Sequence, residues 1–180
     1  VQAGNVDALL AEPIFKRITI KPNSFIGHAV SCTGIEYCNL ALVETKERMR
    51  SIALELDEQI QLDVPVRMHM VGCPNSCGQR QIADIGLQGM KVRNTNKEMV
   101  EAYEIYVGGT LNAGGEFNEK LKGKIPAEDL SGVLLKLLTY FKEEKHTGES
   151  FYDFKHRVGL TAIQEALDSI LGLGSHGVSV

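Results

Sequence analysis

Four cysteines, Cys32, Cys38, Cys73 and Cys77, fall within one quarter of the chain, and the stretch that follows holds none. They form two pairs, Cys32-x5-Cys38 and Cys73-x3-Cys77, with 34 residues between the pairs. Disulfides are a minor reading. The first residues lack a basic start, Asp7 and Glu12 interrupt any export-type apolar core, and a 180-residue chain does not need staples to fold. Four inert, buried thiols are the plainest alternative, since free cysteine is among the most buried residue types. The neighbours argue against it: Gly34, Gly72 and Gly78 stand beside the cysteines, and glycine lets backbone approach a bulky inorganic centre closely. Four thiolates suit either zinc or an iron–sulfur cluster. Zinc sites usually space their first pair by about two to four residues, so the five-residue gap favours the larger cluster.

The elements that must position these thiols are read from periodicity. Val6–Ala11 reads as a short helix end, Phe15–Ile20 as a strand, Pro22 and Asn23 as a turn, and Ile26–Ser31 as a strand leading into the first pair. Asn39–Ile60 reads as one long helix with apolar positions Leu40, Val43, Met49, Ile52, Ala53, Leu56 and Ile60. Val64, Val66, Met68 and Met70 alternate with Arg67 and His69, a two-faced strand running straight into Gly72 and the second pair. The alternation puts Arg67 and His69 on a solvent face or aims them at an acidic ligand. Ile82–Val92 and Ala102–Val107 are two more strands about a turn at Asn94–Lys97, and Gly108-Gly109 closes the second. Leu130 to Phe141 carries a buried helical stripe that ends in the solvated run Lys142–Lys145. Thr161 and Gln164 have capping-box form and open a last helix through Ile170. The expected fold is α/β, a mixed sheet flanked by helices with the cysteine loops at strand ends.

Composition closes off other functions. Apolar residues are 43% and charged residues 23%, as in ordinary globular domains, and the net charge of −4 gives no pull toward nucleic acid or anionic membrane. No run approaches the roughly 18 apolar residues of a membrane span. No dinucleotide fingerprint, P-loop or Ser-His-Asp pattern can be placed.

Cys32-Thr33-Gly34-Ile35-Glu36-Tyr37-Cys38-Asn39-Leu40-Ala41 and Gly72-Cys73-Pro74-Asn75-Ser76-Cys77-Gly78-Gln79 resemble the sirohaem and iron–sulfur motifs of the nitrite and sulfite reductase family. The second motif, with Ile82-Ala83-Asp84-Ile85-Gly86 after it, is similar to the ferredoxin-dependent nitrite branch. The likeness continues through Tyr106–Asn112, Phe117–Leu121 and Phe154–Gly159, covering roughly residues 12 to 168.

The resemblance implies a nitrite/sulfite reductase 4Fe-4S domain-like fold and a [4Fe-4S] cluster held by Cys32, Cys38, Cys73 and Cys77. It implies that Cys77 also bridges to a sirohaem iron, where nitrite takes six electrons from reduced ferredoxin to become ammonium. Pro74 fixes a backbone angle between the second pair, leaving the amides of Ser76, Cys77, Gly78 and Gln79 to aim at cluster sulfurs. Asn75 and Thr33 stand where side chains reach sirohaem edges, or serve as turn residues bonding their own backbone. Gly108-Gly109 is a backbone approach to sirohaem or a tight strand exit. Lys120, Lys122 and Lys124 are candidates for a docking patch, with a simple solvated face preferred. No residues match the family's basic substrate-anion ligands, which are expected outside this chain. The expected organisation is residues 1–20 as the tail of a preceding ferredoxin-like repeat, 21–171 as the cluster- and sirohaem-binding domain, and 172–180 as a flexible tail. The parent is then an assimilatory nitrite reductase of bacterial cytoplasm or plastid stroma, needing its N-terminal half for activity. A sulfite reductase piece and a non-catalytic four-cysteine metal or electron-transfer module are the alternatives.

Overall fold

A computed structural model of the chain describes residues 1–18, 23–112 and 114–172. Its centre is a six-stranded mixed sheet in the order β1-β2-β3-β4-β5, with β6 also paired to β4. β1 (Ala29–Ser31), β2 (Met68–Val71) and β3 (Ile85–Arg93) run parallel, Ser31 facing Met70 and Met70 facing Leu87. β3 turns back into β4 (Met99–Val107) as a long antiparallel hairpin, and β5 (Glu119–Lys120) and β6 (Ile125–Pro126) both lie against β4. The hairpin forms where Asn94–Lys97 supplies turn chemistry: Asn94 Oδ1 accepts the amides of Asn96 and Glu98, and Lys97 takes a left-handed φ of 64°.

Among the described residues five α-helices accompany the sheet: α1 (Val6–Leu10), α2 (Lys46–Gln59), α3 (Leu130–Glu144), α4 (Phe151–Val158) and α5 (Leu160–Ile170). α2 connects β1 to β2, the crossover a parallel pair requires. The stripe Leu130, Val133, Leu134, Leu137, Leu138 and Phe141 is buried, and α3 contacts α2 and α5. Phe141, Phe151 and Phe154 pack ring to ring, with centroids 4.8 to 6.0 Å apart. Each of these fully buried rings contributes roughly 1.5–3 kcal/mol by burial.

Several elements differ from expectation. Pro13–Lys16 is a short 3-10 turn rather than the start of a strand, because Pro13 presets a turning φ; Thr19, Ile20 and Pro22 lie outside the described residues. Ile26–His28 is likewise a 3-10 turn, so β1 is only three residues long. The long helix begins at Lys46, not Asn39. Residues 39–45 form a loop whose Leu42 amide bonds the Gly72 carbonyl, leaving Leu40 64% exposed and Val43 buried.

α4 was not expected, although Ser150-x-x-Asp153 announces it: the Asp153 amide donates to Ser150 Oγ. The Thr161–Gln164 capping box does not form. Gln164 instead accepts from the Lys122 amide and donates to the Lys122 carbonyl, tying α5 to the β5–β6 link. The proposed tail, beyond Gly172, lies outside the described residues. Among the described residues no helix is long and apolar enough to cross a membrane.

Candidate metal centre

The two cysteine pairs meet because their loops leave the same ends of two adjacent parallel strands. Cys32 follows β1 directly, and its amide donates to Met70 O of β2. Cys73 lies two residues past the end of β2. All four cysteines line one cavity of about 380 Å³, together with Thr33, Tyr37, Asn39, Leu40 and Asn75 among others. All four are free thiols; Cys32, Cys38 and Cys73 are half-buried and Cys77 is exposed. Thr33 and Asn75 are exposed on the cavity wall.

The first loop is a tight coil. Cys38 and Tyr37 amides donate to Gly34 O, and the Ile35 amide donates to Val43 O. The second loop turns twice through left-handed backbone, at Ser76 (φ 55°) and Gln79 (φ 53°), either side of Cys77. Two such non-glycine residues within four positions are uncommon and carry strain. Ser76 Oγ donates to Gln81 Oε1, which helps to hold the first of them.

The neighbouring glycines are required by the packing of the protein itself. A Cβ on Gly34 would stand 2.6 Å from Thr45 Oγ1, one on Gly72 2.9 Å from Ala41 Cβ, and one on Gly78 3.1 Å from Met70 O. Their size lets the loops pack against protein, and Gly72 also lines the four-cysteine cavity. Nor are all the expected amides available. The Ser76 amide donates to Cys73 O and the Gln79 amide to Ser76 O, both within the loop. An amide that sequence reasoning missed does reach a thiol: Gly72 N–H donates to Cys32 Sγ at 3.2 Å. Only the parallel pairing of β1 with β2 brings those residues together, so no local pattern could have shown it.

Neither Arg67 nor His69 lines the cavity; Arg67 is half-buried and His69 buried. Arg67 gives its backbone amide, Nε and Nη2 to the Asp84 carboxylate, and Nη2 also donates to Gly109 O. His69 is 8% exposed beneath the second loop, with Nδ1 2.9 Å from Gly78 O and 3.0 Å from Gln79 O. Two carbonyl acceptors require the proton on Nδ1. Burial holds the imidazole below its usual pKa, while those carbonyls oppose the shift. His69 thus props the Cys77 loop as a neutral donor.

Gly108 is a strand exit: φ is +80°, and the Lys155 stem fills the place of a side chain. Buried Lys155 in turn pairs with Glu116 and Glu119. Lys120 pairs with Glu104, whose side chain is 9% exposed, so it belongs to the sheet's own ion network.

Among the described residues no three Cys, His, Asp or Glu side chains converge on a point fit for one ion. Four soft sulfur donors spread over the walls of one cavity, with an amide already bonded to one of them, fit a multi-atom iron–sulfur centre better than a single zinc ion. The arrangement therefore defines a four-cysteine pocket at the ends of two parallel strands of a mixed α/β sheet.

The family is shown by comparison. The nitrite and sulphite reductase 4Fe-4S domain model matches residues 24–173, and the chain belongs to that family. It is 48% identical over 130 residues to a ferredoxin–nitrite reductase of Synechococcus elongatus, covering 72% of this chain and 25% of that protein. It is 36% identical over 173 residues to an assimilatory ferredoxin-dependent nitrite reductase of Haloferax mediterranei, covering 94% of this chain and 29% of that protein. The solved structure of Mycobacterium tuberculosis NirA superposes with a TM-score of 0.77 at 28% identity, over 90% of this chain and 31% of that one. The chain thus spans between a quarter and a third of the length of these relatives.

Proposed function

We propose that this chain is the cluster- and sirohaem-binding part of an assimilatory nitrite reductase, with Cys32, Cys38, Cys73 and Cys77 as ligands of a [4Fe-4S] cluster. The observation that carries the proposal is the single cavity lined by all four thiols at the ends of β1 and β2. In the bound state the cluster and sirohaem supply electron transfer and the reduction of nitrite to ammonium, with reduced ferredoxin as the electron source.

The chain's own residues ligate, orient and enclose. Cys77 is the exposed thiol of the four, open to a second group outside the cluster, which supports its role as the bridging ligand. Thr33 and Asn75 on the exposed wall are placed to meet sirohaem edges. His69 and the Ser76–Gln81 hydrogen bond hold the Cys77 loop from behind. Substrate-anion ligands come from the remaining part of the enzyme, so the chain alone does not turn nitrite over. Bacterial cytoplasm or plastid stroma suits such an enzyme. Sulfite reduction is the second reading, since the matched family spans both substrates.

Anaerobic reconstitution with iron, sulfide and sirohaem tests the proposal. The expected result is four irons and four labile sulfides per chain by metal analysis, in line with four-cysteine ligation of this cluster type, and loss of sirohaem binding in Cys77→Ala. Tight zinc uptake with no cluster would refute it.

A further inference from the structure

Thr45 occupies the N-cap position of α2, yet its side chain makes no cap hydrogen bond. A threonine there ordinarily gives its oxygen to an amide of the first turn. Glu44 supplies that service instead, its Oε1 accepting from the Glu47 amide. The Thr45 hydroxyl is turned toward the metal centre: it donates to Cys32 O at 2.8 Å, and Oγ1 lies 3.8 Å from Cys32 Sγ. The residue is fully buried.

The rest of the side chain is as closely engaged. The place of a Gly34 Cβ is 2.6 Å from Oγ1 and 3.1 Å from the Thr45 nitrogen, so the first loop is folded directly onto this residue. Its methyl, Cγ2, is 3.5 Å from the place of a Gly72 Cβ on the second loop. Gly72 is the residue whose amide donates to Cys32 Sγ. One threonine therefore stands beside both cysteine loops, its hydroxyl bonded to the first and its methyl facing the side-chain place that Gly72 leaves empty on the second. Relinquishing a helix cap at such a point is the kind of local rule-breaking that marks a functional constraint.

Resting on the cluster-binding role above, we propose that Thr45 is the positioning residue of Cys32: it fixes that thiol against the Gly72 amide and so sets how firmly the cluster is held and at what potential. Hydrogen bonds to cluster sulfurs raise reduction potential, and groups that orient a metal ligand commonly govern affinity. Without the hydroxyl the Cys32–Gly34 turn is free to shift, and the N–H···S contact lengthens.

The test uses the whole chain, reconstituted anaerobically with iron and sulfide, as wild type, Thr45→Val and Thr45→Ser. Thr45→Val keeps shape and removes the hydroxyl; Thr45→Ser keeps the hydroxyl. The expected result is cluster loss to a chelator about tenfold faster in Thr45→Val, with a lower reduction potential. Thr45→Ser is expected to restore the wild-type potential. A purely structural role would instead lower the melting temperature of the iron-free chain and leave the potential unmoved.

Gly34→Ala is the second variant, since its Cβ presses on the same hydroxyl from the first loop, at a backbone φ of +77° that strains the turn as well, and it must also hasten iron loss. Wild-type retention and potential in Thr45→Val overturn the inference, as does wild-type behaviour of Gly34→Ala if Thr45→Val does not fold. A wild-type chain that takes up no cluster overturns the cluster reading itself, and this inference with it.

Discussion

Gly89 sits in the middle of β3, buried, where the sheet meets Val43 of the loop that follows Cys38. A Cβ added there would lie 2.1 Å from Val43 Cγ2. Ordinary carbon–carbon contact is about 3.5–4.0 Å, so Gly89→Ala forces a displacement of roughly 1.5 Å in a side chain that is fully buried. Overpacking of this kind costs about 1–3 kcal/mol, and the depth of the overlap puts it near the top, about 3 kcal/mol. For a domain of this size that is a fall in Tm of about 6–12 °C.

Val43→Ala alone removes two carbons, about 1.6 kcal/mol of transfer, or about 2 kcal/mol with its cavity. Independent effects would sum to about 5 kcal/mol in the double variant. Because the smaller side chain vacates the space the new methyl needs, the double variant is expected to lose only about 2–3 kcal/mol. Urea unfolding of the four proteins measures this cycle. Additivity within about 0.5 kcal/mol would refute the packing argument. The same strain should reach the centre, since Val43 O accepts the Ile35 amide of the first cysteine loop. Faster alkylation of Cys38 in Gly89→Ala would register it.

Asp84→Ala strips three donors of Arg67 of their acceptor and leaves a partly buried cation, so a loss of about 3 kcal/mol is expected in denaturant unfolding. Ser150→Ala removes the α4 cap and should cost about 1 kcal/mol, with α5 untouched. His69 has a depressed folded pKa, so below about pH 6.5 the unfolded chain binds a proton that the folded chain does not. Its contribution is complete above that pH and lost as pH falls through the folded value. Melting of the iron-free chain should show this acid slope, and His69→Phe should flatten it. Glu149, pulled down to about 2 by the Arg157 guanidinium, contributes above pH 4.5 and is lost toward pH 2; Glu149→Gln should reduce acid sensitivity in that window.

The site was legible in the sequence to the extent that its chemistry is local. Paired cysteines with their flanking motif words pointed to a cluster, alternation located β2 and a helical stripe located α3, while α5 was placed from a capping box that does not form. What stayed hidden depends on contacts between distant segments. Leu40 and Val43 continue the helical period of α2, but Leu42 bonds Gly72 across the site, and that tertiary bond holds residues 39–45 out of the helix. Arg67 and His69 alternate like surface residues, yet their partners, Asp84 and the carbonyls of Gly78 and Gln79, come from the turn beyond. Gln164 has the spacing of a capping residue, but its oxygen accepts from the Lys122 amide and its nitrogen is shared between the Lys122 carbonyl and Asp168 of its own helix.

The parallel pairing of β1 with β2 has a consequence for the order of assembly. A parallel pair joined by a crossover is a long-range contact, formed late compared with helices and hairpins. Cys32 and Cys38 are synthesised well before Cys73 and Cys77, and the two pairs become neighbours only when α2 has carried the chain back across the sheet. On the cluster-binding role proposed above, metal capture would therefore follow folding, the reverse of a zinc finger, where the ion makes the fold. On that role, iron offered to the growing chain would meet two unrelated thiol pairs, while iron offered to the finished sheet would meet a vessel already shaped to receive it.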